Sequence, residues 1–130
     1  MAWEKNQIIH GMKAADDLST KQYYLVKQTA MDTVDVCAAV TDIPCGVLQN
    51  KPSVAGQAAE VCVFGFTKVS SDEALTYGAL IASSADGQAQ VSTAGSDGTA
   101  YTCGQVFCPS GAGDELATAF VNFANLNRGA

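Results

Sequence analysis

Five cysteines, one histidine and thirteen carboxylates are the side chains of this 130-residue chain that could carry metal, nucleophilic or acid–base chemistry. The cysteine spacings are Cys37-x7-Cys45, Cys45-x16-Cys62, Cys62-x40-Cys103 and Cys103-x4-Cys108. A structural zinc site draws its thiolates from close pairs, and no CxxC pair is present, so no metal is expected. A thiolate nucleophile needs a base beside it. His10 is the only histidine, far along the chain from every cysteine. Cys37 and Cys62 are expected as small core residues, and Cys103 with Cys108 is the one pair that could cross-link over a bend. The odd cysteine count favours free thiols over a closed disulfide framework.

The carboxylates gather at turns, where Asp hydrogen-bonds its own backbone. Glu60 is the exception, inside the most apolar run of the chain. Gly95–Gly98 and Gly111–Gly113 lack the GxxxxGK[ST] pattern of a phosphate loop and read as hairpin tips. A DxDxDG calcium loop is absent. The expectation is a protein with no catalytic residues, no cofactor and no metal.

The elements that must position these residues read as short strands. Gln22–Thr29 is aromatic and β-branched, Thr33–Val40 alternates before Pro44 interrupts, and Cys45–Gln49 resumes. Ala59–Phe66 is the strongest strand, apolar on both faces, with room to continue to Val69. Gly65 inside it marks a bulge or a close backbone approach. Ser70–Glu73 reads as an N-cap leading into one helical turn. Leu80–Ser83 and Ala89–Thr93 flank the hairpin dipeptide Asp86–Gly87, and Gly104–Cys108 is a further strand. Asp114–Asn125 fits helical spacing and strand alternation alike; Val and Phe at 120–123 favour the strand. The fold class expected is mainly β: a small β-barrel or sandwich of short antiparallel strands over residues 21–130. Residues 1–20 show no periodicity and are expected as an extended N-terminal arm.

Composition narrows the function. Seven basic against 13 acidic residues give a net charge of −6, which opposes binding to a phosphate backbone. No apolar window of the length of a membrane span occurs. The first 17 residues carry Glu4, Lys5 and Lys13 without an apolar stretch, so they do not read as a signal peptide, and synthesis in a reducing cytoplasm is expected. Ala, Gly, Ser and Thr supply 52 of the 130 residues. Such a chain has a thin core and surfaces that can lie close to another backbone.

Four segments together resemble the small head-decoration, or capsid cement, proteins of tailed bacteriophages: TDIPCGVLQNKP at Thr41–Pro52, GQAAEVCVFG at Gly56–Gly65, the run Gly78–Gln88 with its Ser-Ala-Asp-Gly turn, and ELATA at Glu115–Ala119 followed by Asn125–Arg128. The resemblance spans residues 22–128. It implies a β-barrel that forms a homotrimer on the outer surface of the capsid at three-fold or quasi-three-fold positions. Its partners would be the major capsid protein and itself, its role to clamp neighbouring capsid subunits against the pressure of packaged DNA. On that reading Trp3, Ile8, Ile9 and Met12 are the capsid-contact candidates. Phe64, Phe66, Phe120 and Phe123 are candidates for the trimer seam or the core. The competing reading is a virion-surface module that binds a glycan or host through loop aromatics, with Tyr77 and Tyr101 as its candidates.

Overall fold

The structure, a computed structural model, describes residues 2–93 and 95–128. Eleven strands run in chain order among the described residues: β1 Lys5–Ala14, β2 Leu25–Ala30, β3 Thr33–Val36, β4 Gly46–Leu48, β5 Ala58–Ser70, β6 Leu80–Ser83, β7 Ala89–Val91, β8 Tyr101–Thr102, β9 Gly104–Cys108, β10 Leu116–Asn122 and β11 Asn127–Arg128. Among the described residues there is no helix. The mainly β class and the strand reading of the closing segment are what the sequence pattern predicts.

Nine strands form one sheet in the order β1-β3-β2-β4-β5-β10-β9-β6-β7, and β8 pairs with β11 in a small second sheet. The sheet does not close into a single barrel. Its organiser is β5, whose 13 residues serve two neighbourhoods. Val61 and Cys62 pair with β4, while Phe64 to Ser70 pair with β10. All pairings between strands are antiparallel except β1–β3.

Within the N-terminal segment expected as an extended arm, Lys5–Ala14 is a strand that pairs antiparallel with β5 from Lys5↔Phe66 to Lys13↔Ala58 and parallel with β3 at Lys13 and Ala14. Its register shifts between Lys5 and Ile8 and again between Ile8 and Ile9, and Asn6 holds φ 54. Each bulge displaces the alternation of side chains, which is why the apolar residues show no period of two. Gly65 makes this docking possible: it sits at φ 119, and a Cβ there would strike the Asn6 carbonyl oxygen and Gln7 Cα. The close approach expected at Gly65 is the passage of β1.

The buried residues gather in two clusters, on opposite faces of the sheet where adjacent residues of β2, β4 and β5 divide between them. One gathers Leu18, Val26, Val34, Leu48 and Val61 with Met12, Ala14 and Ala59. The other contains Leu25, Val69, Leu75, Ile81 and Val121, but also Cys37, Cys62, Cys103, Ala89, Ala117 and Ala119. The β6–β7 turn locks onto the first half of the chain, because the Leu25 N–H donates to the Gly87 carbonyl at 2.8 Å. Gly87 sits at φ 83, and any Cβ would meet Val36 and the Cys37 carbonyl.

No helical turn forms at Ser70–Glu73. The hydroxyls that would cap it are engaged elsewhere: Ser70 accepts from the Gln88 amide at 2.9 Å, and Ser71 shares a 2.7 Å hydrogen bond with Ser110. The Ser71 and Asp72 N–H groups donate to the Glu115 and Ala89 carbonyls, keeping the backbone extended.

Candidate functional site: an exposed aromatic sheet face

The reactive residues are dispersed. Cys37, Cys45, Cys62 and Cys103 are free thiols, so Cys103 makes no disulfide. Burial pushes the Cys37 and Cys103 thiols up to about 12 and that of Cys45 to about 11, holding them protonated and unreactive near neutral pH. His10 is exposed on β1 opposite Val61. Glu60 is an exposed strand residue opposite Gly11, with its N–H on the Asn50 side chain at 3.0 Å. Among the described residues no three His, Cys, Asp or Glu side chains converge on a metal position.

What does converge is aromatic. Alternation along β5 turns Thr67 and Val69 into the core and Phe66 and Lys68 outward. On β10, Ala117, Ala119 and Val121 face inward, leaving Leu116, Thr118 and Phe120 on the outer face. Phe66 and Phe120 are directly opposed across the β5–β10 ladder, with ring centroids 5.1 Å apart. Phe107 of β9 meets Phe66 edge-on at 5.1 Å, and Phe64 meets Phe120 the same way at 5.1 Å. Such tilted and edge-to-face pairs each add about 0.5–1.5 kcal/mol beyond area burial.

Trp3 completes the cluster. Its ring lies 5.4 Å from Phe66, and its backbone is held twice by one side chain. The Trp3 N–H donates to Thr118 Oγ1 at 2.6 Å, and that hydroxyl donates to the Trp3 carbonyl at 2.8 Å. Thr118 belongs to the outer face and is nonetheless fully buried, because the N-terminal segment covers it. Glu4 reaches Lys68 at 3.6 Å and accepts from the Tyr23 hydroxyl at 3.2 Å. Lys5 sits 6.0 Å from the Trp3 ring centroid. These contacts fix residues 3–5 across the sheet.

The cluster stays open to solvent: Trp3 is 39% exposed, Phe64 38% and Phe107 47%. Ile8, opposed to Phe64 across the β1–β5 ladder and 57% exposed, carries the apolar surface onto β1. Single exposed apolar residues are ordinary, but a contiguous patch of them marks a surface that meets another molecule.

Two sets of residues kept apart in the sequence reading therefore share one surface. Trp3, Ile8, Phe64, Phe66 and Phe120 come together on it. Ile9 is exposed on β1. Met12 does not take part: it is buried in the Leu18–Val26–Leu48 cluster. Phe123 packs against the larger core cluster from its edge. Phe107 is not among the sequence candidates; the alternation of Gln105 and Phe107 against Val106 puts the two on one face without marking it as the outer one.

The sequence matches no family model and no curated protein. Among solved structures, the head fiber gp8.5 N base of bacteriophage phi29 matches with a TM-score of 0.63 at 18% sequence identity, covering 95% of this chain and 100% of that one. The chain thus has the fold of that phage head protein over nearly its whole length.

Proposed function

We propose that this chain is a structural, non-catalytic component of a bacteriophage head, carried on the outer surface of the capsid. The observation that carries the reading is the fold shared end to end with a phage head fiber base. The motifs at Thr41–Pro52, Gly56–Gly65 and Gly78–Gln88 support the same assignment from the sequence side. In this reading the chain is a homotrimer whose seam is the Trp3–Phe64–Phe66–Phe107–Phe120 face. Ile9, exposed on β1, reaches the major capsid protein. Aromatic residues are the usual anchors of such contacts. A trimer seated where capsid subunits meet multiplies weak contacts through effective concentration. Binding only to the assembled shell shifts the equilibrium toward the intact head, and the clamp resists the pressure of packaged DNA.

Size-exclusion chromatography with light scattering tests the seam. The wild-type chain is expected at three times its 13.4 kDa mass, and Phe107→Asp at one. Equal masses for the two, or a wild-type monomer at high concentration, would remove the aromatic face from self-association. Co-sedimentation with emptied heads of the cognate phage then tests docking: Ile9→Asp should leave the trimer intact and abolish capture, and unchanged capture would overturn the assignment of β1.

A further inference from the structure

At the end of the sheet beyond Phe120 lies a hollow of about 180 Å3, open to solvent. Its lining is mostly apolar, with Phe120 and Leu80 among the residues that form it, and it includes the amide residues Gln105, Asn122, Asn125 and Asn127. None of its lining residues is charged. Two of the amides are fixed: Asn122 Oδ1 accepts the Ala124 N–H at 3.1 Å, and Gln105 Nε2 donates to the Gly78 carbonyl at 3.3 Å. The side chains of Asn125 and Asn127 have no hydrogen-bond partner among the described residues. Asn127 is anchored only through its backbone, by pairing of β11 with Thr102 of β8.

We propose that this hollow binds a single neutral sugar ring. The lining selects for that chemistry in three ways. Amides offer donors and acceptors together, which matches hydroxyl groups that are also both. With no counter-charge in the lining, a charged ligand would lose hydration without recompense. Phe120 and Leu80 give an apolar surface for the C–H face of a pyranose. The volume lies below the roughly 300–1,000 Å3 of sites for drug-sized ligands, which suits one ring rather than a cofactor.

This site differs from the loop tyrosines that the sequence offered for glycan binding. The Tyr101 ring is occupied by the Arg128 guanidinium at 5.5 Å. Tyr77 is 77% exposed and stands beside Gly78, whose carbonyl receives Gln105. It flanks the hollow without lining it. The hollow shares Phe120 with the aromatic seam, so the glycosides are offered both to the wild-type chain and to Phe107→Asp, in which that seam is open.

Saturation-transfer NMR on the full chain with the methyl glycosides of glucose, mannose, galactose and N-acetylglucosamine tests it. At least one should receive saturation on its ring C–H protons and shift the Asn125 and Asn127 side-chain amide signals. Asn125→Ala/Asn127→Ala should weaken binding roughly tenfold or more, from the loss of two hydrogen bonds, with the thermal transition unchanged. Gln105→Leu, a second exposed position, should weaken it less. No transfer to any of the four glycosides, unchanged binding in both variants, or equal binding of methyl glucuronide would each overturn the proposal.

Discussion

On strands β2, β3 and β4 the bulk points inward. Leu18, Val26, Val34, Leu48 and Val61 are buried together, while Glu60 on β5 and Lys5 and His10 on β1 are left to solvent. On β10 the arrangement is reversed. Ala117 and Ala119 fill the inner positions, and Leu116 and Phe120 stand outside. Its neighbours follow: Phe66 and Phe107 point away from a core that contains Cys62, Cys103 and Ala89. A strand that spends its small residues on the core and its large ones on the surface gains little from that surface as a monomer. Apolar area left outside is recovered only when another molecule covers it. The cluster around β2, β3 and β4 holds the fold together, and the β5–β10–β9 face is shaped for contact.

Paired truncations can break this comparison. Leu48→Ala removes a fully buried side chain and should cost about 2–5 kcal/mol. Phe107→Ala, at a site 47% exposed, should cost the monomer about 1 kcal/mol or less, the scale of an aromatic pair. Urea unfolding at concentrations low enough to keep the chain monomeric measures both. Equal costs would mean that the outer rings are core after all.

A smaller effect is expected where the two regions are stitched together. Gly65→Ala introduces a Cβ at φ 119 against the Asn6 carbonyl, a strain of about 1–3 kcal/mol. Relief comes by lifting β1 from β5, so hydrogen exchange should accelerate at His10 and Met12 and leave β9 and β10 protected. Uniform acceleration across the sheet would show that β1 and the aromatic face unfold as one unit.

The contrast between the two regions also explains how far the sequence could be read. The period-two pattern of residues 116–122, the Asp86–Gly87 hairpin and the close approach at Gly65 were legible because each depends on local chemistry. The strand at Lys5–Ala14 was not, because two bulges erase its period, and a bulge is set by the partner strand. The extended path at Ser70–Glu73 was hidden for a similar reason. Gln88 and Ser110, distant in sequence, take the hydroxyls that would otherwise cap a helix. Trp3, Phe64, Phe66 and Phe120 could be singled out by type, but their meeting on one face depends on which edge of β5 receives β1 and which receives β10. Phe107 stayed hidden because alternation shows that Gln105 and Phe107 share a face without showing that this face is the outer one.

The smallest effect concerns a turn between β3 and β4. Asp42, within the Thr41–Pro52 motif, accepts from Lys27 at 2.9 Å and from the Ala38 and Ala39 N–H groups at 2.8 and 3.1 Å. The Lys27 hydrogen bond, then the Ala38 amide, hold its carboxyl below the ordinary Asp value. A carboxyl whose pKa is depressed by folding stabilises the fold above its unfolded pKa, near 3.9. That contribution is lost as pH falls through the lower folded value. Both side chains are partly solvated, so the contribution should be under about 1 kcal/mol. Thermal melts should therefore place Asp42→Asn slightly below wild type at pH 6, with the gap closing as the pH is lowered past 3.9. Because the turn belongs to the region that holds the fold, the same substitution should leave self-association unchanged at pH 6. A variant that melted like wild type at pH 6 but lost self-association would place this turn with the contact surface and redraw the boundary between the two regions.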